Sequence, residues 1–209
     1  MKNLIIIGAG GMGREVYNLA TQCKGFGTEY LIKGFIDDNP LALNNFDSYP
    51  PICGTISDYV IDDSDIFTCS IGNVQLKRKC IELILNKRGR FISLIHPTSL
   101  INFSSRIGNG SLIFPYAQVG SAAIIGDYSL VQSYAGIGHD VMIGDFARID
   151  VQVLCVGGVK IGNNVTIHSG AIINHRVVIE DNAVIGATSF VIKKVKQGTT
   201  VFGNPAREI

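Results

Sequence analysis

The chain has little charge imbalance, no regular cysteine spacing and no long apolar run, and each absence removes a class of protein. Eighteen Lys and Arg stand against 17 Asp and Glu in 209 residues, a formal charge of +1. That balance gives no electrostatic basis for gripping nucleic acid or an anionic membrane. The five cysteines, Cys23, Cys53, Cys69, Cys80 and Cys155, lack the paired spacing of a zinc site or disulfide framework, and suit a reducing cytoplasm. The apolar run Leu4–Ile7 is far shorter than the ~20 residues of a bilayer-spanning helix, so no membrane insertion is expected. The glycines that follow it explain the run better than a signal peptide does.

What is present is a six-residue repeat. From Ile95 to Val191, seventeen positions spaced six apart carry Ile, Val or, once, Cys155. Neither the helical period of 3.6 nor the strand period of 2 produces this spacing, whereas a stacked parallel β-solenoid does. Three hexads per triangular coil give coils about 4.8 Å apart with the anchors stacked into aliphatic ladders. Cys155 then reads as a small buried hydrophobe. Glycine follows the anchor at Gly108, Gly120, Gly126, Gly138, Gly144, Gly162 and Gly186, which suits a turning backbone, and four residues after each anchor the side chain is small or β-branched.

The first ninety residues alternate differently. Leu4–Ile7, Tyr30–Ile36 and Ile66–Ile71 read as strands, and Arg14–Cys23 and Leu76–Leu85 as helices, which implies a small parallel sheet covered by helices. Two domains are expected, 1–90 and 91–209. Gly8-Ala9-Gly10-Gly11-Met12-Gly13 fits G-x-G-x-x-G between a strand and a helix, where backbone N–H groups meet a diphosphate. Asp37 or Asp38, ending the second strand, can accept from a ribose or base edge; Asp38-Asn39-Pro40 also reads as a turn. Ninety residues are barely one mononucleotide half, so a ligand with one nucleoside and a diphosphate, such as a nucleotide sugar, fits better than a dinucleotide.

His139-Asp140 is the one place in the solenoid that suggests chemistry. A histidine accepts a proton near neutral pH, and a carboxylate at its ring orients it. Neighbouring residues on a strand point oppositely, so Asp140 reaches His139 only if the backbone turns there. His175, two coils on by sequence count and thus about 10 Å away, and His168 read as structural.

GAGGMGRE (8–15), FIDD (35–38), SIGN (70–73), IHP (95–97), GHDVMIGDF (138–146) and VFGNPA (201–206) together resemble the NeuD/PglD-like sugar O- and N-acetyltransferases, a branch of the hexapeptide-repeat acyltransferases. The resemblance spans essentially the whole chain. It implies an α/β Rossmann-like domain followed by a left-handed parallel β-helix, assembled as a homotrimer with acetyl-CoA as co-substrate between neighbouring prisms and no metal. It places a nucleotide-linked sugar on the first domain, around Gly10, Gly11, Gly13, Asp37, Asp38 and Asn73. His139 matches the catalytic histidine, Asp140 its acidic partner, and Gly157 the backbone N–H that meets the thioester carbonyl. Gly203, Pro205 and Ala206 match the terminal loop lining the coenzyme groove. Met12 and Arg148 stand where the family usually has histidine; Arg148 cannot exchange protons but can hold a coenzyme phosphate or carbonyl. The implied activity is direct acetyl transfer to a 4-amino sugar carried on UDP, for surface glycans. No cysteine sits as a nucleophile, which argues against an acyl-enzyme. O-acetylation of a sugar and a catalytically silent scaffold are the alternatives.

Overall fold

The computed structural model describes all 209 residues, and its backbone divides into two compact units, Met1–Leu94 and Ile95–Ile209. The division falls at Leu94 instead of residue 90 because Phe91 still pairs with Phe67, and the Ile92 N–H donates to the Phe67 carbonyl at 3.0 Å.

In the first unit, β1 (Lys2–Ile7), β2 (Tyr30–Ile36) and β3 (Asp65–Cys69) form a parallel sheet in the order β2-β1-β3. As the central strand, β1 is covered on both faces, so Leu4 to Ile7 are all fully buried and no alternation is visible in its sequence. Helix α1 (Gly11–Gln22) buries Val16, Leu19 and Ala20, and α2 (Val74–Asn86) buries Cys80, Ile81 and Ile84. Both start earlier than the apolar spacing predicts. The first turn of α1 is built from the glycine loop itself, and α2 is set by Asn73, whose side-chain oxygen caps it by accepting the Leu76 N–H at 2.9 Å.

The second unit is the parallel β-helix expected from the hexads, with seventeen two-residue strands on three faces. The first face runs from Leu94–Ile95 to Val184–Ile185, the second from Leu100–Ile101 to Phe190–Val191 and the third from Arg106–Ile107 to Val178–Ile179. A terminal hairpin, Thr200–Gly203 and Ala206–Glu208, extends the first face. Anchors from Ile113 onward are buried, and the small residues four places later, among them Ala117, Val141, Val153 and Ala171, fill the space between ladders with no exposure. Cys155 lies inside its ladder, where burial pushes its thiol up to about 12 and leaves it inert.

The glycines after the anchors serve a purpose different from turning. None of them has positive φ; the left-handed residue is the third after each anchor from Ile107 to Ile185, and eleven non-glycine residues, Asp140 among them, occupy that place. A Cβ on Gly108, Gly126 or Gly144 would meet the side-chain oxygen of Asp127, Asp145 or Asn163 of the next coil at 2.5, 2.5 and 2.6 Å. Those oxygens accept the N–H groups of Asn109, Asp127 and Asp145 at 2.8 Å, so glycine here makes room for an Asx ladder that ties successive coils.

Candidate functional site

His139 and Asp140 occupy the corner between the second and third faces. Asp140 has φ 59°, the left-handed turn that brings two sequence neighbours to the same side. His139 Nδ1 lies 2.7 Å from Asp140 Oδ2. With Nδ1–H donating to the carboxylate, the tautomer leaves a lone pair on Nε2, as a proton acceptor requires. The ring lies flat against the next coil at Gly157: a Cβ there would be 2.6 Å from His139 Cε1, 2.9 Å from Cδ2 and closer still to Nε2. The Gly157 N–H finds no acceptor within the chain, whereas the Asx side chains take the N–H at the matching place of another corner. A proton acceptor and an uncommitted donor thus sit side by side. Both dyad side chains are about two-thirds exposed, 65% and 66%, so the corner is an open surface within one chain.

A polar cluster on the first face was not anticipated from sequence. Asp150, its side chain only 6% exposed, accepts from Arg148 Nε at 2.7 Å and Gln132 Nε2 at 3.0 Å, and lies 3.1 Å from His168 Nδ1. These residues come from three successive coils, and the signal in sequence was their 18-residue spacing. His168 is therefore oriented by Asp150. Arg148, Gly203, Pro205 and Ala206 belong to the first face and its terminal hairpin, so one chain does not bring them to His139.

In the first unit, a cleft of about 600 Å³ is lined by Gly10, Gly11, Met12, Gly13, Asp37 and Asp38, joined by Ile56, Ser70 and Leu76. The glycines divide by role. Gly13 packs so tightly on the Gly8 carbonyl that no side chain fits, whereas a Cβ on Gly10 would meet nothing. Gly10 also caps α1 without a side-chain acceptor, and the first turn holds no acidic residue, which leaves the helix terminus able to receive an anion. Asp37 is already engaged: Oδ2 accepts the Ala9 N–H at 2.6 Å and Oδ1 the Asn39 N–H at 2.8 Å, which fixes the glycine loop to the end of β2. Asp38 Oδ1 accepts the Ile56 N–H at 3.0 Å, and the exposed residue lines the cleft. Asn73 caps α2 and is not part of the cleft wall. Ile56 comes from the irregular segment between β2 and β3, where sequence periodicity gave no guidance.

A hexad solenoid with an oriented histidine at one corner, following a domain with a glycine-rich cleft, defines the two-domain class of hexapeptide-repeat transferases. Residues 3–84 match the family model described as the PglD N-terminal domain, and residues 104–139 and 158–193 match the bacterial transferase hexapeptide model. The chain is 32% identical over 232 residues to GDP-perosamine N-acetyltransferase of Escherichia coli O157:H7, covering 98% of this chain and 95% of that one. It is similar to the acetyltransferase domain of PglB from Neisseria gonorrhoeae in complex with acetyl coenzyme A, with a TM-score of 0.89, 27% identity and coverage of 100% and 99%. PerB of Caulobacter crescentus in complex with CoA and GDP-perosamine shares the fold, with a TM-score of 0.89 at 21% identity over 100% and 98% of the two chains. The chain belongs to the NeuD/PglD-like family of sugar acetyltransferases.

Proposed function

We propose that the protein transfers the acetyl group of acetyl-CoA to the amine of a nucleotide-linked 4-amino sugar, with His139 as general base. The observation that carries this is the corner itself: Asp140 orients His139, and the ring lies against an unpaired Gly157 N–H. The amine nitrogen attacks the thioester carbonyl carbon while His139 Nε2 accepts its proton. The developing oxyanion meets the Gly157 N–H, a preorganised donor of the kind that contributes most to acyl transfer. The C–S bond then breaks, and the coenzyme thiolate takes the proton back from the imidazolium. Direct transfer is supported by Cys155, the cysteine nearest in sequence to the dyad, being sealed in the core with its thiol held protonated.

The nucleotide sugar sits on the first unit, with its diphosphate at Gly10, Gly11 and the start of α1. Sequence resemblance suggested UDP. The full-length relative acts on a GDP sugar, which supports GDP as the first nucleotide to test. A homotrimer is part of the proposal: Arg148, Gly203, Pro205 and Ala206 lie on the first face and its hairpin, so they serve the His139 site only when a neighbouring copy supplies them, which supports assembly. Acetyl-CoA as donor and five free cysteines favour the cytoplasm, and no helix is long and apolar enough to cross a membrane.

The test is CoA release, with product mass, over GDP-, UDP- and dTDP-linked 4-amino sugars and their 4-hydroxy counterparts. Acetylation of an amine acceptor is expected. Turnover confined to hydroxyl acceptors contradicts N-acetylation.

A further inference from the structure

The wall of the first unit's cleft carries two aspartates, Asp37 and Asp38, and no basic side chain. Backbone N–H groups and the end of α1 are thus all that the wall itself offers a diphosphate. Arg14 stands beside it, in the first turns of α1. Its side chain runs back toward the helix start, as helical side chains do, and Nη2 lies 3.9 Å from where a Cβ on Gly11 would stand. A cation here opposes the helix dipole and is disfavoured unless an anion joins it. The chain supplies none: Arg14 takes part in none of the protein's seven ion pairs, and the first turn holds no acidic residue.

An aromatic ring holds the guanidinium instead. Its central carbon sits 3.7 Å from the centroid of the Phe46 ring, over the face. That contact fixes a planar cation and leaves its N–H edge open, whereas a carboxylate partner would occupy the edge. Phe46 belongs to the turns that follow β2 and is itself 40% exposed. Tyr49 ties it to the body of the unit: its ring lies 6.4 Å from Phe46, 5.2 Å from Tyr17 of α1 and 6.5 Å from the fully buried Phe35 of β2, edge to face each time.

We propose that Arg14 is the phosphate-binding cation of this cleft and that Phe46 is its positioning residue. The proposal rests on the nucleotide-sugar reading above and keeps the diphosphate where that reading puts it, at Gly10, Gly11 and the start of α1. Nη2 is at most 3.9 Å plus one C–C bond of about 1.5 Å, or about 5.4 Å, from the Gly11 Cα. Two hydrogen bonds of about 2.8 Å that meet on one phosphate cover that gap. The fork of the guanidinium can take two phosphoryl oxygens at once. The turns that carry Phe46 and Tyr49 thereby become part of the site, although neither residue lines the cleft.

The experiment measures Kd for GDP and UDP by calorimetry on wild type, Arg14→Gln, Arg14→Lys, Phe46→Leu and the double variant Arg14→Gln/Phe46→Leu. Guanosine and uridine serve as phosphate-free competitors, and Tm checks the fold. Arg14→Gln is expected to weaken diphosphate binding by about 10- to 100-fold, the range of a lost charge-assisted hydrogen bond, with nucleoside affinity unchanged. Arg14→Lys recovers part of that loss. Phe46→Leu weakens diphosphate binding about 2- to 5-fold and adds nothing once Arg14 is replaced, as a residue acting through Arg14 requires. An unchanged diphosphate Kd in Arg14→Gln overturns the proposal, as does a loss that nucleoside binding shares equally. Additive effects in the double variant overturn the positioning role of Phe46. Failure of wild type to bind either nucleoside diphosphate overturns the nucleotide-sugar reading beneath it.

Discussion

Replacing Gly157 with alanine separates catalytic geometry from fold with a single methyl group. Ordinary contacts to a Cβ lie at 3.4–4 Å, and the new methyl would stand 2.6 Å from His139 Cε1, so the ring must shift by at least 3.4 − 2.6 = 0.8 Å. A displacement of about 1 Å at a reacting group costs on the order of 100-fold in rate. The backbone bears no comparable strain, because Gly157 is not left-handed and the ring it pushes is exposed. CoA release under saturating donor and acceptor is expected to fall about 100-fold, with Tm within about 2 °C of wild type. Retention of near-wild-type kcat would refute the placement of His139 against Gly157 as the working geometry.

The glycine loop offers a paired contrast. Gly13→Ala, overpacked against the Gly8 carbonyl, is expected to lower stability by about 1–3 kcal/mol in chemical denaturation, whereas Gly10→Ala, which meets nothing, leaves stability intact and raises the nucleotide-sugar KM. Asp150→Ala removes the shared acceptor of Arg148, Gln132 and His168 and is expected to cost about 2–3 kcal/mol, moderated by the partial hydration of Arg148 and His168. Burial holds His96 below the ordinary histidine value, and its Nδ1 accepts the Thr98 N–H at 3.2 Å. The unfolded chain therefore takes up this proton first, so the contribution is present above about pH 6.5 and declines as pH falls below it. Thermal melts from pH 7.5 to 5 should show that slope, and His96→Asn should reduce it.

The hexads were legible because the anchor and the residue four places later both face the same narrow interior, so one constraint is written many times over. Glycine's role was not. Its spacing suggested turning, but the left-handed residues lie elsewhere, and only three-dimensional stacking reveals that the Asx side chain of the next coil needs the space. The dyad was legible as a pair of adjacent residues, conditional on a turn that the φ of Asp140 supplies. The Asp150 cluster was hidden because its members lie 18 residues apart and belong together only once the coil length is fixed. In the first unit, the strands showed as apolar runs, while Ile56 lay in a stretch without period and Asn73 was claimed by a helix cap.

The role of His139 is tested most directly by CoA release from His139→Ala on the acceptor that wild type prefers, with mass and melting temperature confirming an assembly like the wild type. Removal of the base should lower kcat at least 100-fold at neutral pH while the KM for acetyl-CoA stays close to wild type. Unchanged turnover by a correctly assembled variant would contradict general-base transfer at this corner.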